Sequence, residues 1–206
     1  MLASGSAYRA GVLRSVGWSV EIDPPDVDER AADGLLGQVG AEGLALELAR
    51  RKLADVAPRH PGRVVVAADQ VGVLDRGGDG VLLTKQPDVD SAVEQLCEMS
   101  GTTHRLVNGV AVTADGGVTV IDGVDVVEVT MRPFSWVEAK SYVRRFEPFD
   151  TSGSYRIEDG GHMAPLEAFV QSIHGADRSG VVGMPLPLLD QLLGELTGGL
   201  TRHPEE

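Results

Sequence analysis

The stretch RVVVAAD, residues 63–69, decides the fold. Its valines and alanines form an uninterrupted apolar run, which is typical of a strand that is buried on both faces of a sheet. The run ends in Asp69, and side chains at the end of such a strand line the clefts of α/β proteins. A buried carboxylate needs a partner or a metal. The stretch therefore predicts a central strand that carries a functional carboxylate, with a simple turn-forming aspartate as the alternative.

Helical and strand patterns surround this strand. Residues 43–58 have amphipathic spacing, and Lys52 follows Leu48 by four residues, so the lysine lies on or beside the apolar stripe, where a solvated side chain is unexpected. Residues 71–83 predict a hairpin with a glycine turn. Further helices are predicted within residues 6–17, 89–101, 135–146 (with Ser135 as N-cap) and 185–196, and further strands within 18–23 and 104–134.

This mixture of elements predicts an α/β or α+β fold with a mixed sheet. No linker is visible, so we expect one domain over residues 1–206, built as two lobes around a central cleft. Residues 200–206 are expected to form a frayed acidic tail.

The composition limits the partners. The chain has 18 Lys and Arg against 31 Asp and Glu, a net charge of −13 that repels nucleic acid polymers and anionic membrane surfaces. A small phosphate ligand stays possible if local cations or a metal bridge the charge. The single cysteine, Cys97, excludes an internal disulfide and is expected in the core. With no signal peptide or apolar run of about 18 residues in view, we expect a cytoplasmic protein.

The chain begins with a candidate phosphate loop. Ser4, Gly5 and Ser6 precede the first predicted helix, and Arg9 lies in its first turn. A helix N-terminus offers unpaired N–H groups and a partial positive charge, which suit an anion. Taken alone, however, the loop favours an N-cap serine followed by a surface arginine.

Zinc is not the metal that this composition favours. The five histidines form no HxxxH pair and have no cysteine cluster beside them. Any metal is expected to be Mg²⁺ or Mn²⁺ on carboxylates.

Eight short motifs follow one another along nearly the whole chain: LASGSAYR (2–9), DVDE (26–29), LARRKLA (48–54), VVVAADQV (64–71), TKQP (84–87), MSGTTHRLVNGVAV (99–112), FEPFDTSGSY (146–155) and VVGMPLPLL (181–189). In this order they resemble the Maf family, which is named for septum formation and comprises nucleoside triphosphate pyrophosphatases. The resemblance implies hydrolysis between the α- and β-phosphates, which yields a nucleoside monophosphate and pyrophosphate. It also implies a divalent cation (Mg²⁺, Mn²⁺ or Co²⁺), a homodimer, and a Maf-like fold of the inosine triphosphatase type with a long, twisted mixed sheet.

The resemblance also assigns roles to residues. Asp69 matches the family's proton acceptor. In an alternative interpretation, Asp69 chiefly holds the metal. Glu29 matches a charged cleft position and would share that metal. The positions that match phosphate contacts are Ser4, Ser6, Arg9, Lys52 and Lys85.

Three positions bear on the base. The branch of the family that acts on dTTP and UTP usually has arginine, threonine and glutamine where this chain has Tyr8, Gln70 and Glu158. A branch that acts on 7-methyl-GTP has an aromatic residue, glutamine and glutamate. N7-methylguanine is cationic and attracted to an aromatic face, and a carboxylate such as Glu158 accepts hydrogen bonds from the guanine N1–H and N2–H edge. A partly buried helix aromatic is the alternative for Tyr8.

The sequence departs from the family at several positions, namely Ala10, Gln86, Asn108, Thr151 and Ser152. The short apolar start before Ser4 leads us to expect a native start upstream of Met1. Three functional alternatives stay open: a dTTP and UTP pyrophosphatase, a house-cleaning enzyme for inosine-type nucleotides, and a non-catalytic, nucleotide-binding regulator of septum formation.

Overall fold

The computed structural model describes residues 1–76, 80–156 and 169–198. Its helices are α1 (Ala7–Ser15), α2 (Leu36–Val56), α3 (Val89–Glu98), α4 (Trp136–Phe146) and α5 (Leu186–Leu196). Its strands are β1 (Leu2–Ala3), β2 (Val65–Leu74), β3 (Val81–Leu83), β4 (Thr103–Thr113), β5 (Ile121–Met131) and β6 (Val170–His174). Glu158 and the predicted tail, 200–206, lie outside the described residues.

The strands form a six-stranded mixed sheet. Its hydrogen-bonded order is β1-β2-β4-β5-β6, and β3 also pairs with β2. β1 is parallel to β2, whereas β3 is antiparallel to β2 and β6 is antiparallel to β5. Helices combined with this sheet confirm the predicted α/β fold.

The chain forms two compact units, one of Met1–Gln70, Asn108–Asp125 and Ala176–Glu206, the other of Val71–Val107 and Val126–Gly175. In the first unit, alternate residues of β2 enter different clusters. Val66 and Ala68 pack in a cluster with apolar residues of α1 and α5, whereas Val65 and Ala67 pack in a cluster with residues of α2. This alternation confirms that the strand is buried on both faces.

Helix α2 approaches β4 closely in the first unit. A Cβ atom on Gly109 of β4 would lie only 2.2 Å from the carbonyl oxygen of Ala45, so no larger residue fits there without moving the backbone. The helix begins at Leu36, earlier than the predicted residue 43, and is interrupted at Gly40, whose φ is 70°. This close packing of α2 against β4 fixes the distance between Lys52 and the sheet.

In the second unit, α3 packs against α4. The Asp88 side chain caps α3 by accepting a hydrogen bond from Ser91 N. Ser135 caps α4 in a reciprocal capping box with Glu138, which confirms the predicted N-cap. Phe134 packs against Phe169 with ring centroids 4.4 Å apart.

Two predictions about strands are wrong. Residues 18–23 form no strand beyond a single bridge from Ile22 to Leu2, because β1 offers only two residues as a partner. The central strand does not end at Asp69 but continues to Leu74, because its last residues pair with β3. Asp69 therefore lies inside β2. Within the described ranges, no helix combines the length and the apolar character needed to span a membrane.

Candidate active site

Lys52 joins two carboxylates. Its ammonium group donates to Asp69 Oδ1 in β2 and lies 2.6 Å from Glu29 Oε1, in the segment just before a 3-10 turn at Arg30–Leu35. Only 4% of Lys52 and 5% of Asp69 are exposed, whereas the side chain of Glu29 is half exposed. The predicted placement of Lys52 on the apolar face of its helix is confirmed, and the ion pair explains why a charge is tolerated there.

Burial sets the basicity of Asp69. Desolvation raises the pKa of its carboxyl group, and the nearby negative charge of Glu29 raises it further. The positive charges of Lys52 and Arg9 and the hydrogen bond from Lys52 lower it, but the pKa stays above its ordinary value. Asp69 is therefore a better proton acceptor than a surface aspartate.

The loop before α1 forms one hydrogen-bonded unit with Arg9. Ser6 caps the helix by accepting from Arg9 N at 3.4 Å, and its own N–H donates to Ser4 Oγ at 3.2 Å. The Arg9 guanidinium donates from Nη1 to Ser4 Oγ at 3.2 Å and from Nε to Gly183 O at 2.9 Å. Gly183 has a φ of +82°, which favours glycine, and a Cβ atom there would crowd the guanidinium at 3.3 Å. The predicted N-cap is thus present, and it is tied to the arginine.

The positive charge of this region is already balanced. Desolvation lowers the pKa of Arg9, while the charges of Asp69 and Glu29 raise it, so the guanidinium stays protonated beside these carboxylates. Two cations, Arg9 and Lys52, thus face two anions. A triphosphate must either draw the cations away from the carboxylates or bring a further cation with it.

The carboxylates fit a metal that is shared with a substrate. Glu29 and Asp69 already converge on one cationic centre, the ammonium of Lys52. Among the described residues, no group of three or more His, Cys, Asp or Glu side chains is placed to hold a metal ion. Mg²⁺ is commonly bound by one or two carboxylates together with waters and substrate phosphates. The donor set suits that arrangement rather than a metal cage made by the protein alone.

Gln70, the neighbour of Asp69, makes a network that sequence reasoning missed. Its Nε2 donates to Asn108 Oδ1 at 3.0 Å, to Gly180 O at 2.9 Å and to Val181 O at 3.1 Å. Asn108 is fully buried in β4, and its Nδ2 donates to Gly180 O at 2.8 Å and to Asp125 Oδ2 at 3.1 Å. The network anchors the turn that leads to the Arg9 partner, the carbonyl of residue 183. The signal in the sequence was an asparagine within an otherwise apolar predicted strand.

The remaining predicted residues are placed as follows. Tyr8 is 37% exposed on α1, directly before Arg9 in the chain. Lys85 is exposed, follows β3 and belongs to the second compact unit. Glu158 lies outside the described residues. The residues that the structure brings together in the first unit are Ser4, Ser6, Arg9, Glu29, Lys52, Asp69 and Gln70.

Comparison with known proteins gives extended matches. The family model described as "Maf-like protein" matches residues 1–196. A protein named nucleoside triphosphate pyrophosphatase from Rhodopseudomonas palustris is 35% identical over 193 residues, which cover 92% of this chain and 90% of that protein. Proteins named 7-methyl-GTP pyrophosphatase are similar too. The one from Pseudomonas putida is 34% identical over 197 residues (95% of each chain), and the one from Rhizobium etli is 34% identical over 205 residues (96% of this chain, 98% of that protein).

Proposed function

The chain belongs to the Maf family, and from this premise we propose that it is a nucleoside triphosphate pyrophosphatase with 7-methyl-GTP as its preferred substrate. Water attacks the α-phosphorus, the bond from this phosphorus to the α–β bridging oxygen breaks, and the products are a nucleoside monophosphate and pyrophosphate. The observation that carries the proposal is the buried pair of Asp69 and Lys52, close to the guanidinium group of Arg9. A binding module would have no use for a buried, unusually basic carboxylate at this place.

Asp69 acts as the proton acceptor in this proposal. Its raised pKa and its position inside the sheet suit a group that holds the attacking water and takes its proton. Ser4, Ser6 and Arg9 bind phosphate oxygens with their hydroxyl and guanidinium groups. Lys52 exchanges a carboxylate for a phosphate oxygen, and Lys85 contributes a second ammonium.

The divalent cation (Mg²⁺, Mn²⁺ or Co²⁺) belongs to this proposal. Glu29 and Asp69 are the residues that would hold it, together with the substrate's phosphates. When bound, such a cation neutralises phosphate charge and polarises the phosphoryl group. The same carboxylates hold the ammonium of Lys52, which would be available to the phosphates when a cation occupies this place.

Three residues would select the base. Tyr8, which is 37% exposed and directly precedes Arg9, would contact the cationic ring of N7-methylguanine with its aromatic side chain. The amide hydrogens of Gln70 are used by Asn108 and two carbonyls, so the atom that it offers to a ligand is its carbonyl oxygen, an acceptor for guanine N–H groups. Glu158 would supply a second acceptor. Relatives named for 7-methyl-GTP support the same choice.

Pyrophosphate release from a panel of nucleotides tests this proposal. The panel contains 7-methyl-GTP, GTP, ITP, dTTP and UTP, each with Mg²⁺, Mn²⁺ or Co²⁺. We expect the highest kcat/KM for 7-methyl-GTP. A higher value for dTTP, UTP or ITP would overturn the proposed substrate but keep the reaction. No release from any nucleotide would overturn the reaction and favour a non-catalytic regulator. Light scattering during gel filtration tests the proposed homodimer.

A further inference from the structure

Gln95 is a buried polar residue in the second unit that the proposed chemistry does not use. It lies on α3 with only 8% of its surface exposed. Its Oε1 accepts from Thr84 N at 3.0 Å, and its Nε2 donates to Thr84 O at 3.0 Å. The side-chain amide therefore pairs with one residue as a neighbouring strand would. Because Thr84 directly precedes Lys85, this pairing fixes the backbone on one side of the lysine.

The same amide reaches a second segment. Gln95 Nε2 also donates to Ser152 O at 3.0 Å and to Ser154 Oγ at 2.8 Å. Ser154 is fully buried and has a φ of 55°, an uncommon conformation for a residue other than glycine. Gln95 thus joins the lysine-bearing segment to the turn at 152–154.

Gln86, which follows Lys85 in the chain, makes hydrogen bonds to the same residues. Its Nε2 donates to Gln95 Oε1 at 2.9 Å, to Thr84 Oγ1 at 3.0 Å and to Thr84 O at 3.2 Å. Lys85 itself is exposed, while both of its neighbours are held by the buried glutamine. The backbone around an exposed cation is thereby fixed in place.

We propose that Gln95 is a positioning residue that holds Lys85 ready for the phosphates of the nucleotide; this rests on the proposed role of Lys85. An apolar residue would satisfy a buried helix position at lower desolvation cost, so the glutamine is best explained by the segments it holds. A carboxylate at this place would repel the carbonyl oxygens of Thr84 and Ser152, which explains why the group is a neutral amide.

A double-mutant cycle tests the proposal. Gln95→Met keeps the length of the side chain but removes its hydrogen bonds. We expect it to raise the KM for the preferred nucleotide about tenfold, with a smaller change in kcat. In a Lys85→Ala background the same change should have less than about a twofold effect, because the group being positioned is gone. Gln191→Met, at an exposed position on α5, is the matched control and should leave both constants unchanged.

A milder variant and a second readout keep the test decisive. Thermal unfolding shows whether Gln95→Met folds. If it does not, Gln86→Ala takes its place in the cycle and should raise the KM about threefold. Binding of inorganic tripolyphosphate, measured by calorimetry, repeats the cycle without turnover. An equal loss of activity and binding with or without Lys85, or no loss at all, overturns the inference. An inactive wild-type enzyme overturns the proposed reaction instead, and the tripolyphosphate cycle still decides the role of Gln95.

Discussion

Lys52 donates a hydrogen bond to Asp69 in a place where both side chains are almost completely buried. Burial removes most of the solvent that would stabilise these charges, so Lys52 depends on Asp69 and Glu29, and Asp69 depends mainly on Lys52. If the ammonium turns towards a phosphate, the divalent cation of the proposed mechanism would take its place as the cationic partner of Asp69.

Asp69→Asn should abolish most of the pyrophosphate release. An amide cannot take the proton of the attacking water, and general-base catalysis typically contributes about 10²–10⁴-fold to the rate. Steady-state release of pyrophosphate measures the loss. Asp122→Asn is the matched control, because it changes an aspartate of the first unit that pairs with Arg50 near the surface. A variant of Asp69 that kept more than a tenth of the wild-type kcat would contradict its assignment as the base.

Lys52→Met should destabilise the fold by about 3 kcal/mol at pH 7, because it leaves Asp69 buried without its main cation. The lost partner raises the folded-state pKa of Asp69, so the folded chain binds a proton at a higher pH than the unfolded chain does. Stability then falls as pH rises, and the deficit relative to wild type should shrink towards pH 4. Urea unfolding at several pH values measures this.

Two further variants control the Lys52 experiment. Adding Asp69→Asn to Lys52→Met should restore most of the stability, because no buried charge is left. Arg50→Met removes an exposed cation from the same helix and should cost at most about 1 kcal/mol. If Arg50→Met and Lys52→Met lowered the free energy of unfolding equally, the buried pair would contribute no more to stability than the exposed one.

His104 should make the second unit sensitive to acid. It is fully buried in β4, its Nε2 lies 2.7 Å from Tyr155 Oη, and its Nδ1 has no hydrogen-bond partner among the described residues. Burial lowers the pKa of His104 from 6.5 to about 4. Between these values the unfolded chain holds a proton that the folded chain does not, so stability falls as pH falls.

The expected contribution of His104 is about 3 kcal/mol of unfolding free energy, lost between pH 6.5 and pH 4. His104→Gln keeps a partner for the Tyr155 hydroxyl and removes the titration, so its stability should depend less steeply on pH. Chemical unfolding across this pH range gives the slopes. His174→Gln, which replaces an exposed histidine of β6, is the matched control. Parallel slopes for wild type and His104→Gln would refute the prediction.

Features that depend on residues close together in the chain could be predicted from the sequence. The apolar run at 64–68 was enough to predict a strand buried on both faces, and helical spacing was enough to place Lys52 on a buried face. The end of the strand could not be predicted in this way. Its last residues are held by β3, and that pairing extends the strand past Asp69.

The supporting networks could not be read from the sequence at all. Asn108 meets Gly180 across 72 positions, and Gln95 meets Ser152 across 57 positions. A lone asparagine or glutamine in an apolar pattern shows that a partner is needed, but only the fold reveals which one. Asn108 also accepts a hydrogen bond from Gln70, and Gln95 also pairs with Thr84, the neighbour of Lys85.

Tyr8→Ala should discriminate between methylated and ordinary guanine. An aromatic face attracts a cation by about 0.5–2 kcal/mol, so the change should raise the KM for 7-methyl-GTP roughly tenfold and that for GTP about twofold at most. Tyr8→Phe keeps the ring and should retain most of the preference, whereas Tyr8→Leu keeps apolar bulk but should lose it. Tyr8 is exposed on α1, so none of these changes opens a cavity in the core. Equal losses for both nucleotides would mean that Tyr8 stacks on any base, and the selection of the methylated ring would then have to come from elsewhere.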